Sequence, residues 1–196
     1  MNMRLFVGLD IPEDIRERMR AYVDDLKRRG AHAKWTNPDG WHITLKFIGW
    51  KKRDAEIREA LKQISAAQFQ VTFREVGFFT AKQPRIFFAG IEAPPALAEL
   101  AGKIDQALVS GGVDAEKRPY SPHLTLARTG SGRPQPTSDD QKSPTMKSLQ
   151  QLVERAPELQ HPDFGTMTAN EFVLYLSELS PKGAKYTKLD KYPLRG

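Results

Sequence analysis

The stretch Trp41–Gly49, WHITLKFIG, returns downstream as Pro122–Gly130, PHLTLARTG. Both copies hold a histidine followed by an apolar residue, threonine and leucine, and the two histidines, His42 and His123, lie 81 residues apart. Only four histidines occur in 196 residues. The other two, His32 and His161, lie in segments without a matching partner and read as surface-loop residues. In an extended strand alternate side chains share a face, so His42, Thr44 and Lys46 point one way while Ile43, Leu45 and Phe47 point the other. The second copy puts His123 and Thr125 together, opposite Leu124 and Leu126. Ideal alternation sends Arg128 to the face opposite His123, and only a bulge, a twist or a strand end would let it reach that histidine.

Outward from these motifs the same offset persists. RLFVGLDIP from Arg4 aligns with RIFFAGIEAPP from Arg85, Gly30 with Gly111, and Pro38 with Pro119, apart from small slips near Pro12. Two copies of one supersecondary unit, residues 4–49 and 85–130, are the economical reading. Each copy starts with a short strand rich in β-branched or aromatic residues, then a Pro where a first helical turn accepts it. Ile15, Met19, Tyr22, Val23 and Leu26 recur at helical spacing in one copy; Leu97, Leu100, Ala101, Ile104 and Leu108 do so in the other. Loops TNPDG and EKRPYSP lead into the histidine strands. A polar helix from Asp54 and a strand FQVTF follow the first; a helix over Met146–Arg155 and a strand NEFVLYLSEL follow the second. The segment 130–145, rich in Gly, Pro, Ser and Asp, predicts a mobile loop. A turn at Pro181–Gly183 and a closing strand end the chain. The expectation is an α+β fold: a single domain over residues 1–196 with two duplicated lobes. Each lobe is a mainly antiparallel sheet with outer helices, and a central cleft lies between them.

Composition narrows the function classes. The chain of 22.1 kDa is 39% hydrophobic and 28% charged, without an apolar run long enough for a bilayer span or a signal peptide. It reads as a cytoplasmic monomer with no membrane partner. The absence of cysteine removes disulfides, thiol nucleophiles and cysteine metal sites. No HExxH, GxxxxGK[ST] or GxSxG pattern occurs, so neither zinc-helix, P-loop nor serine-hydrolase chemistry has its usual parts. We expect no metal and no cofactor. The net charge of +6 favours an anionic partner, although the cations are scattered.

A single strand histidine is more often a hydrogen-bonded structural residue than a catalyst. Two in register, each with a threonine on its face, suit a phosphodiester. One neutral imidazole takes a proton from a nucleophile, one charged imidazole gives a proton to a leaving oxygen, and the hydroxyls hold phosphate oxygens. His42 and His123 are the candidate catalytic pair, and Thr44 and Thr125 the candidate phosphate contacts. Lys46 could offset phosphate charge. Trp35 and Trp41 serve either packing or base stacking.

These residues resemble the two-histidine phosphoesterase superfamily, whose mark is a pair of His-x-Thr motifs in a duplicated bilobal fold. RLFVGLDIP, HITLKFIG, RPYSPHLTLAR and LYLSELSPKGAKYTKL, in this order over nearly the whole chain, look like the RNA 2′,3′-cyclic phosphodiesterase branch, the LigT-like 2′-5′ RNA ligase family. The resemblance implies metal-independent hydrolysis of an RNA 2′,3′-cyclic phosphate end to a 2′-phosphomonoester, with a weak reversible 2′-5′ joining activity. It also implies phosphate contact by Arg128, against the alternation above, and leans to His42 as acid and His123 as base. The polar stretch at 130–145 departs from the family pattern, and Tyr120 stands where phenylalanine is common. Short 2′-5′ oligonucleotides or small cyclic nucleotides are alternative substrates. A non-catalytic RNA-end binder is the alternative from another class.

Overall fold

The computed structural model describes residues 3–51, 54–80, 82–129, 146–180 and 183–195. Strand β1 (Met3–Asp10) leads into helix α1 (Glu13–Arg28), a two-residue strand β2 (Lys34–Trp35), a 3-10 turn at Pro38–Gly40 and the histidine strand β3 (His42–Lys51). Helix α2 (Ala55–Lys62) and strand β4 (Phe69–Phe79) complete the first half. The second half has β5 (Ile86–Glu92), α3 (Pro95–Ser110), the histidine strand β6 (His123–Arg128), α4 (Met146–Arg155), a 3-10 turn at Pro157–Leu159, β7 (Asp163–Ala169), β8 (Glu171–Ser180) and β9 (Gly183–Pro193). The strands form two antiparallel sheets, ordered β3-β1-β8-β9 and β2-β6-β5-β4-β7, so the α+β expectation holds. The loop expected at 130–145 lies outside the described residues, as do Pro181 and Lys182 of the expected turn. Among the described residues no helix is long and apolar enough to cross a membrane.

The two long helices start and stop by the same means. Pro12 and Pro94 hold extended N-cap conformations, and α1 adds Glu13 and Asp14 in its first turn and Lys27 and Arg28 in its last, matching the helix dipole. Ile15, Met19, Val23 and Leu26 of α1 are buried, as are all five apolar positions expected of α3. Each of these side chains other than Ala101 contributes roughly 1.5–3 kcal/mol of apolar burial. At the C-termini the Ala31 N–H bonds the Leu26 carbonyl and the Val113 N–H bonds the Leu108 carbonyl, around Gly30 at φ 87° and Gly112 at φ 77°. This is a glycine-dependent cap in both cases. The counterpart of Gly30 is therefore Gly112 rather than Gly111, because one extra residue precedes the second helix.

The halves are interlaced. Strand β4, which ends the first half, pairs with β5, while β8 returns to pair with β1. Helix α1 packs beside β7, and α3 beside α2 and β3. Strand β2 crosses to the edge of the second sheet beside β6. One buried apolar core consequently runs through both sheets, from Leu5, Val7 and Leu9 to Phe73, Phe87 and Leu124. Two elements, β2 and β7, have no counterpart in the sequence expectation. The first is two residues long, too short for any periodicity. In the second, Gly165 at φ 104° interrupts alternation where Arg18 passes over the strand to donate to the Phe164 carbonyl.

Candidate active site

A bulge recurs in both histidine strands. Pairing of β1 with β3 jumps from Val7–Lys46 to Gly8–Thr44, leaving Leu45 as an extra residue; pairing of β5 with β6 jumps from Phe87–Ala127 to Phe88–Thr125, leaving Leu126 extra. Two consecutive residues therefore turn to the core, Leu45 with Lys46 and Leu126 with Ala127, and the alternation reverses beyond them. Arg128 returns to the face of His123 and Thr125. Phe47 returns to the face of His42 and Thr44. Lys46, expected beside His42, is buried instead, where its ammonium bonds the Asp105 carboxylate at 2.5 Å and the Asp114 carbonyl at 2.6 Å. It is a structural ion pair, not a phosphate contact.

The bulges are braced across the halves. The Thr36 hydroxyl lies 2.8 Å from the carbonyls of Thr125 and Leu126, its N–H donates to the Leu126 carbonyl, and the Trp41 indole donates to its oxygen at 2.8 Å. Trp41 is buried by this role, so it offers no stacking surface. Trp35 is half-buried against Phe87 with the Lys27 ammonium 5.9 Å from its ring. In return the Tyr120 hydroxyl of the second half donates to the Thr44 carbonyl at 3.1 Å, a bond that phenylalanine could not make.

Each histidine is held by the carbonyl two residues before it. His42 Nδ1 lies 2.7 Å from the Gly40 carbonyl and His123 Nδ1 lies 2.9 Å from that of Ser121, two carbonyls again 81 residues apart. A carbonyl only accepts, so each Nδ1 carries the proton and each neutral Nε2 presents its lone pair. His42 Nε2 is 3.1 Å from the Thr44 hydroxyl. The surroundings differ. The His42 ring packs among Phe6, Tyr186 and Tyr175, at centroid distances of 4.5, 5.1 and 5.7 Å. Gly8 makes this possible, since a Cβ there would stand 3.3 Å from His42 Cδ2 and 2.8 Å from the Ile43 carbonyl oxygen. His123 meets Phe79 and Phe88 in T-shaped contacts at centroid distances of 4.8 and 5.9 Å. Burial first, and then the Arg128 and His123 charges, pull the His42 pKa down to about 4 against the opposing pull of the Gly40 carbonyl and Asp10. Arg128 and His123 thus lie within the electrostatic reach of His42. His32 and His161 are exposed, as expected. Among the described residues no three His, Asp or Glu side chains converge as a metal cage.

The profile of the 2′-5′ RNA ligase superfamily matches residues 11–175. A protein of Methanothermobacter thermautotrophicus named RNA 2′,3′-cyclic phosphodiesterase is 31% identical, with 99% of this chain and 100% of the relative covered. One of the same name from Archaeoglobus fulgidus is 28% identical over 95% of this chain and 98% of its own. Among solved structures, E. coli LigT complexed with 3′-AMP shares the fold at TM-score 0.73 and 22% identity, covering 99% of both chains. A Thermus thermophilus protein does so at TM-score 0.71 and 27% identity, again over 99% of both.

Proposed function

The chain belongs to the 2′-5′ RNA ligase superfamily, and from that premise we propose a metal-independent hydrolysis of RNA 2′,3′-cyclic phosphate ends by the His42 and His123 pair. Relatives matched over 95% or more of this chain carry the name RNA 2′,3′-cyclic phosphodiesterase, which supports that activity here. The observation that carries the paired-histidine mechanism is the matched anchoring of both Nδ1 atoms, which leaves both Nε2 atoms for proton transfer. The repeat over residues 4–49 and 85–130 reads as a duplication within a single domain. The two copies supply equivalent imidazoles to one groove.

In this reading Thr44, Thr125 and Arg128 hold the phosphate oxygens. His123, on the more open side, takes a proton from water as the water oxygen attacks phosphorus. The bond from phosphorus to the ribose 3′ oxygen breaks, and His42 gives its Nε2 proton to that oxygen, leaving a 2′-phosphomonoester and a free 3′ hydroxyl. Burial holds His42 neutral, so the incoming anion must raise its pKa and bring a proton with it. The same forward step with a ribose 5′ hydroxyl in place of water, the bond from phosphorus to the 3′ oxygen again breaking, would give the 2′-5′ joining reaction. The deciding experiment is product analysis on RNAs ending in cyclic phosphate, 3′-phosphate or a 2′-5′ linkage. A 2′-phosphate product from the first alone supports the proposal; binding without turnover would make the protein an RNA-end binder instead.

A further inference from the structure

Resting on that reading of the groove, we propose that Phe47 and Trp50 stack the last two bases of a single-stranded RNA, so that the preferred substrate is an oligonucleotide and not a free cyclic mononucleotide. Phe47 is 62% exposed and Trp50 60%, and Val109 is the other large exposed hydrophobic among the described residues. Scattered apolar side chains on a surface need no explanation, but these two share a strand and a face with His42. The pairing partners of Thr44, Phe47 and Trp50 are Gly8, Phe6 and Arg4, every second residue of β1. All three therefore project from one side of the sheet, in steps of about 7 Å along β1. That step is of the order of one nucleotide in an extended strand. A phosphate at Thr44 places its own base at Phe47 and the preceding base at Trp50.

The support beneath this row is rigid. Phe6 lies 6.3 Å from Phe47 and 4.5 Å from His42, and stacks on Tyr175 at 4.8 Å. Arg4, opposite Trp50, is placed to meet the phosphodiester between the two bases. The duplication sharpens the assignment. Phe47 holds the register position that Arg128 holds in the other copy, so one lobe offers a ring where the other offers a cation. Base stacking accepts any sequence, and each stacked base typically contributes about tenfold or more in affinity.

The test compares a dinucleotide and a mononucleotide, both ending in 2′,3′-cyclic phosphate, with the wild type, Trp50→Ala and Trp50→Phe. We expect kcat/KM for the dinucleotide to exceed that for the mononucleotide by about tenfold. Trp50→Ala should remove this advantage through KM without changing the mononucleotide rate, Trp50→Phe should keep most of it, and a dinucleotide lacking its 5′ base should behave as the mononucleotide. Equal rates for the two substrates, or equal loss on both in Trp50→Ala, overturns the proposal. Binding of a 2′-phosphate-ended dinucleotide, followed by tryptophan fluorescence, separates this inference from the activity itself. Quenching that disappears in Trp50→Phe supports the stacking step even if no substrate is turned over, and quenching unchanged in that variant refutes it.

Discussion

Leu45 and Leu126 are the same structural device used twice: each is the extra residue of a bulge three positions after its histidine, and each reverses the strand face beyond it. Through the second bulge Arg128 joins the His123 face and lowers the pKa of His42. Arg128→Ala should therefore do two things. It should cost about ten- to a hundredfold in kcat/KM, the range for losing a hydrogen bond to a charged group, and it should raise the His42 pKa. Titration of the imidazole C–H resonances checks the second effect; a His42 pKa that does not move would remove Arg128 from the site. Arg128→Lys should restore the pKa more fully than the rate, because lysine keeps the charge but not the two-pronged geometry.

The position of Arg128 marks the boundary of what periodicity can tell. Helical spacing identified the buried faces of α1 and α3 because those faces repeat every three to four residues over sixteen-residue helices. Alternation in β3 and β6 located Thr44 and Thr125, which precede the bulges, and misplaced Lys46, which follows one. A bulge has no composition of its own when the extra residue is leucine. The return of β8 to pair with β1 was also invisible, since pairing across more than a hundred residues leaves no local trace. Phe47 did leave a signal: it sits at the register of Arg128 in the aligned repeat.

Gly8 should tolerate no side chain. A Cβ there would meet the Ile43 carbonyl oxygen at 2.8 Å, a backbone atom that cannot step aside, and would press on the His42 ring. Gly8→Ala is expected to destabilise the protein by about 1–3 kcal/mol and to lower kcat more than it raises KM. Urea unfolding and steady-state rates measure both. Unchanged stability would mean that the strand relaxes around the methyl.

The half-buried His42, held neutral, also ties stability to pH. Its folded pKa of about 4 lies below the ordinary 6.5, so between these values the unfolded chain binds more protons than the folded one. The stabilisation is complete above pH 6.5, declines as pH falls towards 4, and changes no further below that. The expected loss is on the order of 2 kcal/mol after allowance for solvent at the ring edge. Urea midpoints of the wild type and His42→Gln, compared across that window, isolate the effect: the difference between them should vary with pH. A constant difference would show that His42 is not held neutral.

Activity should survive exhaustive chelation, because the proposed transfers need only imidazoles, hydroxyls and a guanidinium. Turnover of a cyclic-phosphate RNA before and after EDTA is the measurement. Loss that one divalent ion restores would count against the paired-histidine mechanism.

The sequence repeat makes His42 and His123 look interchangeable, yet the proposed reaction needs one as acid and the other as base. A pH profile alone does not separate the roles. The kcat/KM profile should be bell-shaped with one limb near 4 from His42, and that limb appears whether the charged or the neutral form of His42 is the active one. Leaving-group chemistry does separate them. If the terminal nucleoside lies along Phe47, its 3′ oxygen departs on the first lobe beside His42, and water attacks from the His123 side. His42→Ala should then lose on the order of a hundredfold or more on a cyclic-phosphate RNA, but keep most of its turnover of a nitrophenyl diester, whose leaving group needs little protonation. His123→Ala should be poor on both substrates. The opposite pattern exchanges the roles and moves the nucleoside to the second lobe. Near-normal turnover of the RNA substrate by both alanine variants would make the histidines structural and end the mechanism.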